Sequence, residues 1–308
     1  MLFRWGMVFV LTLGLVLGLT FSWVGAQASP EISIVAAGDI ACSPDDRGFN
    51  DGKGRGDRCQ MAATANLISR VKPQAVLALG DNQYERGELD FFRRSYDLSW
   101  GKYKSITYPV PGNHEYYTPG AQGYYDYFGA RAGKRDQGYY SFNLGNWHLV
   151  ALNSNCDAIG GCGAGSPQER WLKRDLQANK KTCTLAFWHH PRFSSGVHGN
   201  NPELAALWQD LYEAKAELVL SGHDHDYERF APQGLRGKLE RSGGIRQFVA
   251  GAGGKSLYPF KTPRPNSEVR LDKTYGILEL KLKPQGYRWR YLALPGGEVR
   301  DQGQGTCW

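Results

Sequence analysis

Beyond residue 24 the sequence has no uncharged apolar run long enough to cross a bilayer, no block of consecutive lysines and arginines, and no linker rich in Pro, Gly or Ser. Each absence excludes something. Without further spans the later chain is not a multi-pass membrane protein. Without a basic block, or basic residues interleaved with aromatics, it is not a nucleic-acid binder, even though the formal net charge is +7. Without a linker nothing cuts the chain into separate domains. Histidine is scarce too, at seven residues in 308, so where the histidines fall carries information.

The one long apolar run comes first. Arg4 precedes an uncharged stretch from Met7 to Val24, followed by Ala26-Gln27-Ala28. A charged start, an apolar middle and a small-x-small exit describe a secretory signal over residues 1–28, cleaved so that the mature chain begins near Ser29. The expected location is secreted, periplasmic or otherwise extracytoplasmic, with no membrane role beyond export. Loss of the signal removes one positive charge, Arg4, and leaves a basic surface that attracts anions such as phosphate esters.

Residues 29–308 then read as one domain with enough length for a large core. All six cysteines lie in it, and an oxidising compartment favours the local pairs Cys42 with Cys59 and Cys156 with Cys162. Cys183 and Cys307 are left, either free or bonded so as to pin the C-terminus to a core strand.

Strand and helix patterns alternate. Strands are expected over 32–37, 75–79, 146–152, 184–188 and 217–220, each short and nearly all apolar. Between them fall helices over 61–71, 167–179 (after Ser166, with Pro167 in the first turn) and 202–214 (after Asn201), and a polar amphipathic stretch over 88–98. Three later runs, 247–250, 276–282 and 287–294, read as antiparallel strands. This is an α/β chain whose sheet is covered on both faces.

Six of the seven histidines sit in three phrases: Gly112-Asn113-His114-Glu115, His189-His190-Pro191 with His198 nearby, and Gly222-His223-Asp224-His225. Gly38-Asp39 and Gly80-Asp81-Asn82-Gln83-Tyr84 lie upstream. Asp39, Asp81, His189 and His223 all follow apolar strands, where open α/β sheets place ligands. Carboxylate, amide, phenol and imidazole donors gathered at strand ends suit a two-metal hydrolytic site, with Asp81 the best bridge because a carboxylate offers two oxygens. His148 falls in mid-strand and reads as a core or solvent-facing residue. The polar loop through Asp45, Asp46, Asp51 and Asp57 lacks the spacing of an EF-hand and reads as a disulfide-closed surface loop near the site rim.

The ordered set Gly-Asp, Gly-Asp-x-x-Tyr, Gly-Asn-His-Glu, His-x-Pro and Gly-His-x-His, from Asp39 to His225, resembles the purple acid phosphatases among the calcineurin-like metallophosphoesterases. The glycine cluster at 251–254 also looks like that group. The loop after Asp39 departs from it, since compact relatives have a glycine closer behind the aspartate. No N-terminal β-sandwich of the large plant enzymes is present, so the chain is similar to the small, single-domain form.

The resemblance implies a four-layer α/β/β/α sandwich of two mixed sheets flanked by helices, with residues 29–308 as the catalytic domain. It implies Fe(III) held by Asp39, Asp81, Tyr84 and His225. A divalent Zn, Fe or Mn ion would be held by Asp81, Asn113, His189 and His223. Asn113, His114 and His198 would be catalytic, and His190 has no assigned role. The implied reaction is hydrolysis of phosphate monoesters by a metal-bound hydroxide at acidic to neutral pH, on small phosphate esters or phosphoproteins. A phosphodiesterase or nucleotide-directed hydrolase of the same superfamily and a secreted, non-catalytic phosphate-binding protein are the alternative readings.

Overall fold

The computed structural model describes residues 1–3, 5–6 and 31–308. The apolar run 7–24 and its small-residue exit, on which the export reading rests, lie outside the described residues. Among the described residues, no helix is long and apolar enough to cross a membrane.

In chain order the strands are β1 (Ile32–Ala37), β2 (Ala75–Ala78), β3 (Thr107–Pro109), β4 (Tyr140–Leu144), β5 (Trp147–Ala151), β6 (Cys183–Phe187) and β7 (Leu218–Ser221). They continue with β8 (Tyr227–Phe230), β9 (Arg246–Ala250), β10 (Ser267–Leu271), β11 (Gly276–Lys283), β12 (Gly286–Ala293) and β13 (Glu298–Thr306). The α-helices are α1 (Met61–Val71), α2 (Leu89–Arg94), α3 (Asn113–Tyr116), α4 (Gln122–Phe128), α5 (Pro167–Ala178) and α6 (Ala205–Glu213). One mixed sheet runs β13-β12-β11-β1-β2-β3 and the other β10-β8-β9-β7-β6-β5-β4.

Alternation along the central strands builds the layers. Ile34 and Ala36 of β1, Leu149 of β5, Leu185 of β6 and Leu220 of β7 share one buried layer between the sheets. Their neighbours Val35 and Ala37 face Met61, Ala65 and Ile68 of α1 and Phe92 of α2. Val150, Ala186 and Val219 face Leu172 of α5 and Leu207 and Leu211 of α6. Helix, sheet, sheet, helix is the result. It explains why these strands read as unbroken apolar runs, since both of their faces are buried. Truncating Leu220 to alanine would open a hole in the middle layer at a cost of about 2–5 kcal/mol.

Local signals set the helix ends. Ser166 Oγ accepts the Glu169 N–H at 3.2 Å and caps α5. Asn201 Oδ1 accepts the Glu203 N–H at 2.9 Å. Behind that cap the expected helix over 202–214 is divided into a 3₁₀ turn, Pro202–Leu204, and α6. Lys72, at a left-handed φ of 52°, stops α1 just before Pro73.

One pairing differs from expectation. β9 is antiparallel to β8 but parallel to β7, because the chain crosses back through 231–245 before re-entering the sheet. All three disulfides form, including the pair left open: Cys183 at the start of β6 joins Cys307 just after β13. His148 is buried, held by Asn143 at 2.9 Å and Asp175 at 2.7 Å.

Candidate metal centre

The parallel strands β1, β2, β6 and β7 end side by side, and each delivers a polar residue into one cleft between the sheets. The turns are tight. Asp39, Asp81 and His223 have φ values of 60°, 45° and 73°, a region that L residues occupy at a cost and that concentrates at functional sites. Gly112 is needed for closeness, because a Cβ there would lie 2.1 Å from Asp81 Oδ1. Gly80, at φ 87°, turns the chain where a Cβ would come within 2.6 Å of His189 Nδ1.

Donor atoms converge in two overlapping groups. In the first, the Tyr84 hydroxyl is 2.9 Å from each of Asp39 Oδ1, Asp81 Oδ2 and His225 Nε2. In the second, His189 Nε2 lies 3.2 Å from Asn113 Oδ1, 3.2 Å from His223 Nδ1 and 3.4 Å from Asp81 Oδ2. A single oxygen, Asp81 Oδ2, belongs to both groups. The seven residues expected as ligands are thus brought together.

Hydrogen-bond accounting tests whether the set fits cations. A phenol has one proton to give, yet two carboxylate oxygens and an imidazole nitrogen all lie 2.9 Å from the Tyr84 hydroxyl. His189 Nδ1 meets the Leu79 carbonyl at 2.9 Å as a donor, so in the neutral ring Nε2 turns its lone pair toward the Asn113 oxygen. His225 Nδ1 meets Ser256 Oγ at 2.9 Å, and Tyr258 stacks on its ring at 4.0 Å, which leaves Nε2 facing inward. With the imidazoles neutral and the phenol ionised, these atoms face one another as acceptors in a buried cleft, an arrangement that cations would satisfy. No described lysine or arginine forms an ion pair with Asp39, at 0% exposure, or Asp81, at 2%. The donors fit a pair of metal ions.

Titration tendencies point the same way. Burial would lower His189, but the Asp81 and Asp39 carboxylates outweigh it and lift the imidazole to about 9, so that a proton takes the place of a cation. Burial, and then Asp39 and Asp81, push the Tyr84 phenol well above its ordinary value. Its ionisation therefore needs strong positive charge at the oxygen. Burial and the neighbouring His189 hold His223 far below the imidazole range, as a neutral donor.

A second ring of contacts positions these groups. Asp39 Oδ2 accepts the His223 N–H at 2.8 Å, and Asp81 Oδ1 accepts the His114 N–H at 2.9 Å. Glu115, fully buried, accepts from Gln83 N at 3.1 Å and Gly112 N at 2.7 Å and ties two of the sequence phrases together. His114 Nδ1 bonds the Glu85 carbonyl at 2.6 Å, and its ring packs 4.2 Å from Tyr84. The His198 ring is 4.0 Å from His223.

Asp224 is a residue the sequence reading passed over as a spacer. Its Oδ1 accepts the His198 backbone N–H at 3.0 Å and meets His198 Nδ1 at 2.8 Å, while Oδ2 accepts from Ser194. Burial opposes its charge, but the bonds from His198 and Ser194 hold the carboxyl below its usual range. A carboxylate between two histidines was the available signal. Beside His198 and His223, a cavity of 180 Å³ is lined also by His190, Pro191, Asn200 and Asn201.

Fold and site together define a metallophosphoesterase. The chain belongs to the calcineurin-like phosphoesterases, whose family model matches residues 32–227. Its relatives include purple acid phosphatases of Arabidopsis thaliana. "Probable purple acid phosphatase 20" is 29% identical over 164 residues, covering 50% of this chain and 37% of that protein. "Purple acid phosphatase 15" is 31% identical over 149 residues, covering 42% and 27%. The matches thus span well under half the length of these relatives. A purple acid phosphatase from yellow lupin (Lupinus luteus) seeds superimposes with a TM-score of 0.73 at 17% identity, over 90% of this chain and 54% of that one, which shows the shared fold.

Proposed function

We propose that the protein is an acid phosphatase that hydrolyses phosphate monoesters at a dinuclear Fe(III)–M(II) centre. The observation that carries this reading is Asp81 Oδ2, shared between a Tyr84 group and a His189 group. Asp39, Tyr84 and His225 with Asp81 would hold the ferric ion, and Asn113, His189 and His223 with Asp81 the divalent one, Zn, Fe or Mn. A phenolate beside two carboxylates selects a hard, highly charged cation.

When bound, the ions supply a nucleophile from water at mild pH and positive charge against the phosphoryl oxygens. The residues do the rest. Asn113 and His114 line the phosphoryl side, where hydrogen bonds to its oxygens orient the ester. His198, held by Asp224, offers a proton to the departing alkoxide. Residues 1–28 act as an export signal and 29–308 as the catalytic domain outside the cytoplasm, a location that the three disulfides support.

The test is a substrate panel on protein carrying two metal equivalents. Monoesters should turn over faster than matched diesters, and chelation should abolish turnover, with recovery on adding metal back. Faster diester turnover would favour the phosphodiesterase. No turnover at full metal content would leave a binding protein.

A further inference from the structure

The loop between Cys42 and Cys59, where the sequence departs from compact relatives, is tied to the site through the Lys255 side chain. Lys255 follows the glycine cluster after β9 and is only 7% exposed, a burial that lysine tolerates only when paired. Its N–H bonds the Asp39 carbonyl at 3.0 Å, and its own carbonyl accepts the Cys59 N–H at 3.2 Å. The backbone of Lys255 therefore touches a candidate ligand on one side and the disulfide on the other. Its ammonium pairs with Asp46 Oδ2 at 3.1 Å and with Glu85. Asp46 lies inside the disulfide loop and also binds Arg58 at 3.0 Å. Glu85 is the residue after Tyr84. The aspartates of this loop were expected to lie at the surface, but the Asp46 side chain is 8% exposed and turned inward.

The same ammonium sits 5.0 Å from the centre of the Tyr84 ring. It makes no hydrogen bond to the phenolic oxygen, whose partners are Asp39, Asp81 and His225. It therefore acts on the ring's charge without competing for the atom that faces the cation. A cation over an aromatic face is stabilising, more so when desolvated, and a phenolate ring carries more negative charge than a phenol.

We propose that Lys255 is a positioning residue that sets the donor strength of the Tyr84 phenolate and fastens the Cys42–Cys59 loop against it. This rests on Tyr84 being the ferric ligand. A positive charge beside the ring lowers the phenolate's electron energy, so charge transfer to the ferric ion takes more energy. Removing the ammonium, which leaves Asp46 and Glu85 partly uncompensated, does the reverse. Removing the charge of Asp46 leaves Lys255 less compensated and strengthens its effect.

The experiment records the visible absorption of oxidised, iron-loaded protein for the parent, Lys255→Met, Lys255→Arg and Asp46→Asn, with metal content measured on each. Lys255→Met should shift the band to longer wavelength, Lys255→Arg should restore it, and Asp46→Asn should shift it to shorter wavelength. Opposite shifts are something a purely structural clamp would not produce. A violet parent with the same band in Lys255→Met overturns the proposal alone. A colourless parent that holds its iron overturns the tyrosinate reading, and the proposal with it. If Lys255→Met does not hold iron, Asp46→Asn decides: a shorter-wavelength band supports the role and an unmoved band refutes it.

Discussion

Replacing Asp224 by asparagine separates positioning from charge at His198. The amide has the carboxylate's shape. Its oxygen can still accept from His198, and its NH₂ can face Ser194 Oγ, which already accepts the Gly196 N–H at 2.9 Å. What is lost is the negative charge 2.8 Å from His198 Nδ1. Hydrogen bonds involving an ionised group contribute about 1.5–3 kcal/mol against about 0.5–1.5 for neutral ones. A protonated His198 therefore loses about 1–2 kcal/mol of support. The His198 side chain is 42% exposed, so solvent screening places the loss toward the lower end. In rate this is about five- to thirtyfold, and it should fall on esters whose leaving group needs a proton. The assay compares kcat/KM for an alkyl phosphate and an aryl phosphate in the parent, Asp224→Asn, His198→Ala and the double variant, with metal content checked in each. The alkyl ester should suffer and the aryl ester hardly at all. The double variant should be no worse than His198→Ala, because Asp224 acts through His198. Equal losses on both esters, or additive losses in the double variant, would refute the reasoning.

Asp81→Ala should lose both metal ions and His223→Ala mainly the divalent one, since only Asp81 belongs to both donor groups; metal analysis of the purified variants reads this directly. Glu217 gives a pH test of the fold. It is 2% exposed, and burial pushes its carboxyl up to about 7, even though Thr184 and Trp308 donate N–H groups to it at 2.6 and 3.1 Å. Its ionised form is thus disfavoured by folding. The parent should lose about 3–4 kcal/mol relative to Glu217→Gln as pH rises from about 4.3 through 7, levelling off about one pH unit above the folded-state value. Denaturant unfolding at several pH values measures this, and a gap that does not change with pH would contradict it.

The central strands were legible because both faces of β1, β2, β5, β6 and β7 are buried, so composition alone marks them. The phrases carrying Asp39, Asp81, His189 and His223 were legible for a related reason: each follows such a strand, whereas the phrase over 112–115 follows the short β3 and was legible from its residue types alone. What escaped were elements that lack this contrast. β3 has three residues, and β13 is an edge strand whose Gln302 and Gln304 are exposed while Asp301 faces inward. The polar inward residue on β13 is explained across the sheets, where Asp301 accepts from Tyr227, Arg229 and Trp289. No local pattern carries that. Asp224 and Lys255 were missed for the same cause. Their roles depend on partners 26 and 209 positions away, His198 and Asp46.

The central claim is that Tyr84 is a phenolate ligand of a ferric ion that shares Asp81 with a second ion. Visible spectroscopy with metal analysis, on the oxidised protein and on Tyr84→Phe, tests it most directly. The account predicts two metal equivalents, at least one of them iron, a broad visible band giving a violet colour, and loss of that band in Tyr84→Phe while iron is retained. A colourless oxidised protein holding its full iron content, or a band that survives in Tyr84→Phe, would contradict it.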